Sequence, residues 1–310
     1  MPPGVSVLDL LLALWPLFAL IVGGYALRRW DFPGEAFWPA AERLNYFILF
    51  PALLFSSLAT APLNNPALPR LALAVMLGLG LAWLALLLGK RLCGWSAGRF
   101  GALTQGILRF NTYLGLAAIG SLFGKQGLTL AALLLALMVP TVNVLSVWAL
   151  SAERGVSLRA LLLPVLKNPL IFACIAGALA NLGGLGLPGG TDRLLGLLAA
   201  ASLPLGLLCV GAALRPQELT GEVPTLAWNC ALRLLAMPLL AFAAARIVGL
   251  PPMESAVLVL FFALPTAPTA YVLTRQLGGD SHLMAGIITL QTLLAAGSLL
   301  LVLRLLGSAG

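Results

Sequence analysis

The chain has 310 residues, of which 61% are hydrophobic and only 9% are charged, and its mean hydropathy is +1.03. Ordinary soluble domains carry roughly 25% charged residues, so this composition excludes a soluble domain and indicates a protein embedded in the lipid bilayer. The formal net charge of +8 requires no nucleic-acid partner, because basic connections between membrane spans account for it.

Apolar runs of about 20 residues recur from end to end, and each is long enough to cross a hydrocarbon core roughly 30 Å thick. The first run lacks a basic segment before it, so we expect a transmembrane helix there and not a cleaved signal peptide. The predicted fold class is an all-α polytopic membrane protein with ten transmembrane helices. These spans, numbered 1 to 10 in chain order, are residues 6–27, 38–60, 68–89, 101–122, 128–150, 160–182, 192–213, 224–248, 254–274 and 283–305.

The distribution of lysine and arginine predicts the orientation of the spans. The connections that follow odd-numbered spans, with their flanks, hold eleven basic residues: Arg28, Arg29, Arg43, Lys90, Arg91, Arg99, Arg154, Arg159, Lys167, Arg215 and Arg275. The opposite side holds five: Arg70, Lys125, Arg193, Arg246 and Arg304. The positive-inside rule therefore predicts both termini on the non-cytoplasmic side of the cell (inner) membrane.

The second half of the chain matches the first half in register. Three pairs of positions are offset by 153 or 154 residues: Pro16 with Pro169, Pro51 with Pro204, and Asn111 with Pro265. Because five spans is an odd number, two such halves must lie in opposite orientations in the membrane. We therefore predict two inverted five-helix repeats, residues 1–155 and 156–310, an arrangement typical of secondary transporters.

Spans 4 and 9 correspond in this repeat, and span 9 contains the stretch "LPTAPT" with Pro265 and Pro268. A proline inside a helix removes one backbone hydrogen bond, and an unpaired backbone group in hydrocarbon costs several kcal/mol. We predict that span 9 is unwound here and faces span 4 around Asn111 across a polar cavity. The alternative is an ordinary kinked helix whose threonines repair its own backbone.

The chain resembles the auxin efflux carrier family over essentially its whole length, through "LNYFILFPALLFSSLA", "KNPLIFACIAGALANLGGLGLP" and "LPTAPTAYVLTRQLGGD". That family includes plant PIN auxin carriers and bacterial proteins associated with malonate and malate transport. The resemblance implies a scaffold and a transport domain, each drawn from both repeats, unwound helices 4 and 9 that cross near the substrate, and a homodimer. Family members often have proline at Ala117 and asparagine at Thr269, so we expect a softer break in span 4 and altered polar contacts.

The candidate substrate-binding residues are polar or helix-breaking residues of the paired spans. They are Asn111, Thr112 and Gly115 in span 4, Pro265, Thr266, Pro268, Thr269 and Tyr271 in span 9, and Pro51, Ser56 and Pro204 in spans 2 and 7. Their amides and hydroxyls could bind an anionic oxygen, or could bond a neighbouring helix or a carbonyl freed by proline. Arg109 and Arg233 lie inside spans 4 and 8, where they could attract an anion or bind helix-end carbonyls. The sequence does not determine which way the side chains of Asn45, Asn143 and Gln291 face.

No Asp or Glu lies near the centre of a predicted span, which disfavours a tightly coupled symporter. The sequence has no zinc motif and no phosphate-binding loop, and His282 has no nucleophile motif, so we expect no enzyme, metal or cofactor. We predict a secondary transporter that moves a small organic anion or weak acid by alternating access. The alternatives are a membrane receptor or sensor of the same fold and a sodium-coupled carrier of the bile-acid type.

Overall fold

The computed structural model describes residues 7–61, 66–151, 159, 163, 166–184, 186–187 and 189–308, and no β-strand occurs in these ranges. The α-helices are α1 (Val7–Arg29), α2 (Phe37–Leu44), α3 (Phe50–Ala59), α4 (Leu68–Cys93), α5 (Ala97–Leu108), α6 (Thr112–Leu150), α7 (Pro169–Leu182), α8 (Thr191–Ala212), α9 (Val223–Ala231), α10 (Met237–Val248), α11 (Pro252–Ala263), α12 (Thr269–Gln276) and α13 (Ser281–Ser308).

Six helical segments of the described chain are long and apolar enough to cross a membrane. They are Leu10–Arg29, Leu68–Cys93, Ala97–Leu150, Thr191–Ala212, Val223–Val248 and Ser281–Leu306. The described part of the chain is all-helical, and its long apolar helices support a polytopic membrane protein, as the composition predicts. The arrangement of ten spans in two inverted repeats is still a prediction. The boundary at residue 155 and part of the predicted span 160–182 lie outside the described residues.

Two helical rods contain a π-helical turn just before a proline. Asn45–Leu49 joins α2 to α3, and Leu232–Ala236 joins α9 to α10. Pro51 and Pro238 then occupy the first turn of α3 and α10. Because proline has no N–H for the carbonyl of the preceding turn, a wider turn lets each helix continue. Two buried polar side chains, Asn45 and Arg233, lie in these turns.

Two further helices are fully interrupted, and the interruptions touch. The first break separates α5 from α6 at residues 109–111, and the second separates α11 from α12 at residues 264–268. The Asn111 N–H donates to the Pro265 carbonyl over 2.8 Å. The unwound stretch of span 9 thus binds span 4 directly through the backbone, and an ordinary kinked helix does not describe it.

The break in span 4 is complete, so the expectation of a softer break at Ala117 was wrong. Arg109 and Asn111 have extended backbones with ψ of 150° and 99°. The helix restarts because Asn111 is its N-cap, with Oδ1 accepting the Leu114 N–H at 3.1 Å. A side-chain cap can begin a helix without any proline, and Ala117 lies within regular, buried helix.

Close backbone packing joins α1 to α8. A Cβ atom added at Gly24 would clash with the Leu208 carbonyl, and one added at Gly211 would clash with the Ile21 carbonyl. Small residues allow two membrane helices to approach until their backbones touch. These glycines therefore determine how closely the first and seventh predicted spans pack.

We predict that Gly211→Ala destabilises the protein, because its methyl group must displace the α1 backbone. Overpacking of this kind costs about 1–3 kcal/mol. Gly196→Ala is the matched control, since it lies on the same helix with no neighbouring atom within 4 Å. Thermal unfolding in detergent, followed by circular dichroism, should show a lower midpoint for Gly211→Ala alone. Equal midpoints for the two variants would contradict this account of the contact.

Candidate functional site

A cavity of about 580 Å³ lies against the two contacting breaks. That volume suits a small-molecule ligand. Three helical walls contribute residues at the spacing of three or four that places side chains on one face. The wall residues are Pro39, Glu42, Arg43, Tyr46 and Phe50 from α2 to α3, Val139, Val142 and Asn143 from α6, and Thr269, Val272, Leu273 and Gln276 from α12.

The first break supplies residues 109–113 to the cavity lining and carries two donors without partners. Asn111 is fully buried, and its Oδ1 must be the atom that accepts the Leu114 N–H, so its Nδ2 is directed elsewhere. Neither Asn111 Nδ2 nor Arg109 Nη1 has a hydrogen-bond partner among the described residues. The Arg109 Nη2 atom lies 3.4 Å from Thr269 Oγ1. Unpaired buried donors are costly, so this lining is suited to a ligand that accepts hydrogen bonds.

Two helices begin at the cavity. α6 begins at Thr112 and α12 at Thr269, and both residues belong to the lining. The first N–H groups of a helix have no intrahelical partner, and the helix dipole places roughly half a positive charge at this end. Together with the guanidinium of Arg109, these helix ends make the site favourable for a negative charge.

The negative ends of the other two half-helices meet on Arg233, which is fully buried. Its Nε donates to the Leu264 carbonyl at 2.6 Å, its Nη1 to Ile107 at 2.7 Å, and its Nη2 to Phe261 at 3.0 Å. These carbonyls lie at the C-terminal ends of α5 and α11, where carbonyls lack helical partners and the dipole is negative. One guanidinium therefore caps both half-helices.

Thr266 holds the second break against its neighbours. Its N–H donates to Gln291 Oε1 at 2.8 Å, and its hydroxyl lies 2.9 Å from the Gly106 carbonyl. Gln291 Nε2 in turn donates to Gly106 O at 2.8 Å and to Asn229 Oδ1 at 3.0 Å. This buried network connects the break to α5, α9 and α13. It uses the N–H and hydroxyl groups of Thr266, which the sequence predicts as ligand contacts.

The structure places only some of the predicted site residues on the cavity. On the lining are Arg109, Asn111, Thr112, Pro268 and Thr269. Away from it are Gly115, Pro265, Thr266, Tyr271, Pro51, Ser56, Pro204 and Arg233. Arg233 binds helix-end carbonyls, which is one of its two predicted roles. It does not lie on this cavity, so it does not attract a ligand there directly.

Several of the residues off the cavity have other partners. Ser56 donates back to the Leu53 carbonyl at 3.1 Å, and the Tyr271 ring lies 4.7 Å from the Arg215 guanidinium carbon. Gly115 is buried, and it packs against the side chain of Leu264 at the end of α11. Their roles in the structure are packing and local hydrogen bonding.

Spans 2 and 7 meet through Asn45 and Ser202, and not through their prolines. The Asn45 Nδ2 donates to the Ser202 carbonyl at 2.9 Å, and the Ser202 hydroxyl donates to Asn45 Oδ1 at 2.8 Å. Both side chains are fully buried. Pro51 is half-buried and Pro204 is exposed. The paired prolines do not line the cavity.

Sequence analysis missed Glu42, Tyr46 and Asn168, which all line the cavity. Asn168 could have been found, because Asn followed by Pro is a typical helix start, and its Oδ1 caps the Leu170 N–H at 2.9 Å. Glu42 and Tyr46 share a helix face, but nothing in their spacing says that this face lines a cavity together with α6 and α12.

Two comparisons with known proteins bear on function. A family model for membrane transport proteins matches residues 9–303. The chain is also similar to an uncharacterized transporter of Methanothermobacter thermautotrophicus, with 27% identity over 289 residues that cover 91% of this chain and 94% of that protein. Both findings agree with the sequence prediction of a membrane transporter, and neither names a substrate.

We predict that Arg233→Met strongly destabilises the protein, because it leaves three buried carbonyls without a donor. Each unsatisfied group costs about 1–3 kcal/mol. Arg233→Lys should fall between this variant and the wild type, since it keeps the charge but loses the planar fork of donors. Arg246→Met, an exposed arginine on the adjoining α10, is the control. Thermal unfolding in detergent checks the order, and equal stability of the two methionine variants would refute it.

Proposed function

The chain belongs to the membrane transport protein family, and we propose that it moves a small organic anion, a carboxylate, across the membrane by alternating access. Family membership is the evidence that the protein is a transporter. The choice of an anion depends on one observation, the buried and unpartnered donors of two residues that line the cavity, Arg109 and Asn111.

A carboxylate fits these donors because it is an acceptor-only group with two oxygens. One oxygen can accept from the guanidinium of Arg109 and the other from the amide of Asn111. A charge-assisted hydrogen bond is shorter and about twice as strong as a neutral one. The N-terminal ends of α6 and α12 add positive potential at the same place. An organic cation would meet repulsion from each of these groups.

The proposal places the ten predicted spans as two inverted repeats, with both termini on the non-cytoplasmic side. In that orientation the lining residues Arg43 and Gln276 lie next to connections on the cytoplasmic side, so the cavity faces the cytoplasm. Transport then requires a second state in which this opening closes and the breaks face outward. The Arg233 cap and the Thr266 network support movement of the half-helices as one body.

A sodium-coupled carrier is less well supported. In carriers with broken helices, the C-terminal ends of half-helices and unwound carbonyls coordinate the coupling cation. Here the carbonyls at those ends accept hydrogen bonds from Arg233, whose guanidinium supplies the positive charge. The protein therefore carries its own counter-ion at the place where a sodium ion would act.

We predict that carboxylate flux does not depend on sodium. Purified protein in proteoliposomes should accumulate a transported carboxylate equally well when choline replaces sodium on both sides. Loss of flux in choline, recovered by adding sodium, would support the bile-acid type of carrier instead. Saturable binding of a carboxylate without any flux would favour the sensor.

We predict that Arg109→Gln weakens carboxylate binding by about ten- to a hundredfold, since one charge-assisted hydrogen bond is worth about 1.5–3 kcal/mol. Asn111→Asp is a sharper test, because a carboxylate at this position still caps α6 but replaces the donor with a negative charge. A thermal-shift screen of acetate, malonate, malate and indole-acetate, followed by calorimetry, measures binding.

Arg246→Gln is the control for a lost surface charge, and it should bind as the wild type does. The variants must first show the unfolding midpoint of a folded protein. If a folded Asn111→Asp protein binds carboxylates with unchanged affinity, the donors at the first break do not form the substrate site.

A further inference from the structure

A carboxylate lies on the wall of the same cavity. Glu42 belongs to α2, is half-buried and lines the cavity. Its side chain makes no ion pair or hydrogen bond with any described residue. Sequence analysis passed over it because it lies near the end of a predicted span, where charged side chains are ordinary. The cavity extends to that position, so the distance of Glu42 from the span centre does not remove it from the substrate path.

The groups around Glu42 are few. Arg43 and Arg109 are the other charged residues of the described lining, and Arg43 is exposed and therefore well hydrated. Tyr46 lies one turn further along, on the same face. Tyr113 from α6 and Cys209 from α8, the helix that packs on α2, lie within electrostatic range of Glu42. None of these neighbours neutralises the carboxylate by direct contact.

A bound anion therefore experiences opposing charges. Arg109 and the two helix N-termini attract it, whereas an ionised Glu42 repels it across the cavity. Protonation of Glu42 removes the repulsion, so the anion binds more tightly to the protonated form. Linkage is reciprocal, and a bound anion must raise the proton affinity of Glu42 by the same factor. Anion and proton thus favour each other's binding.

We propose that Glu42 binds a proton that is carried together with the organic anion, one proton for each anion. This inference rests on the proposed function, since it requires an anion in the cavity. The carboxylate takes up the proton on the side where the anion enters. It releases the proton on the other side, when departure of the anion lowers its proton affinity again. The protein is then a proton–anion symporter whose coupling group is a lining residue and not an acid at the centre of a span.

The test uses full-length protein in proteoliposomes that contain the pH indicator pyranine. Acetate, malonate, malate and indole-acetate are supplied in turn, and the one that the wild type transports fastest is used for all variants. Glu42→Gln preserves the shape of the side chain and imitates its protonated form. Glu35→Gln removes an exposed carboxylate from the connection before α2 and is the matched control. The probe anion can itself bind or release protons, but this contribution to the pyranine signal is the same for all three proteins and cancels when they are compared.

We expect Glu42→Gln to bind the anion about tenfold more tightly than the wild type at about pH 8, where Glu42 is ionised. The difference should shrink as the pH falls, because a protonated wild-type carboxyl group carries no more charge than the glutamine. Anion entry should acidify liposomes that contain wild type or Glu35→Gln, but not those that contain Glu42→Gln. A merely structural role for Glu42 would produce no gain of affinity.

The outcomes separate the two proposals. If the wild type transports none of the four anions, the proposed function fails and this inference fails with it. If the wild type transports an anion but moves no proton, the inference alone is overturned. The same holds if Glu42→Gln binds more weakly at every pH, or retains the proton flux and pH dependence of the wild type.

Discussion

The contact on which the rest of the structure depends is the one between Arg233 and the ends of α5 and α11. Two helices stop in the interior of the protein, and each leaves carbonyls that neither water nor a continuing helix can satisfy. A single guanidinium donates to three of them at 2.6–3.0 Å. Burying an arginine is costly, and it is tolerated here because two negative helix ends surround the charge. Without this cap the two breaks could not be held deep within the protein.

The Arg233 cap also leaves only one kind of helix end free at the two breaks. The negative ends of α5 and α11 are occupied by Arg233, so the positive ends of α6 and α12 are left to act on the cavity. Asn111 connects the two functions, because its backbone N–H binds Pro265 while its side chain caps α6. Its remaining amide hydrogens have no partner in the described protein. The anion preference that we propose for the cavity therefore follows from the same backbone geometry that interrupts the helices.

Two different parts of the chain surround the cavity. The breaks are tied by the Arg233 cap and by the buried Thr266, Gln291 and Asn229 network. Another part of the lining belongs to α2 and the π-helical turn that follows it, and it carries Glu42 and Tyr46. In the proposed mechanism, the donors of Arg109 and Asn111 bind the substrate and Glu42 binds the proton, so that both are held in one space without direct contact. The charges then communicate through the electric field of the cavity.

The sequence by itself determined the membrane class and the positions of the two breaks, because hydropathy and proline are local properties of the chain. It also offered both roles for Arg233 without choosing between them. The tertiary structure made that choice, because the partners of Arg233 lie 28 to 126 residues away in the chain. For the same reason, only the structure shows that Thr266 belongs to a buried network and that Glu42 lies on the cavity wall. Whether a polar side chain meets a ligand, a carbonyl or lipid depends on which helix lies opposite, and no local pattern contains that information.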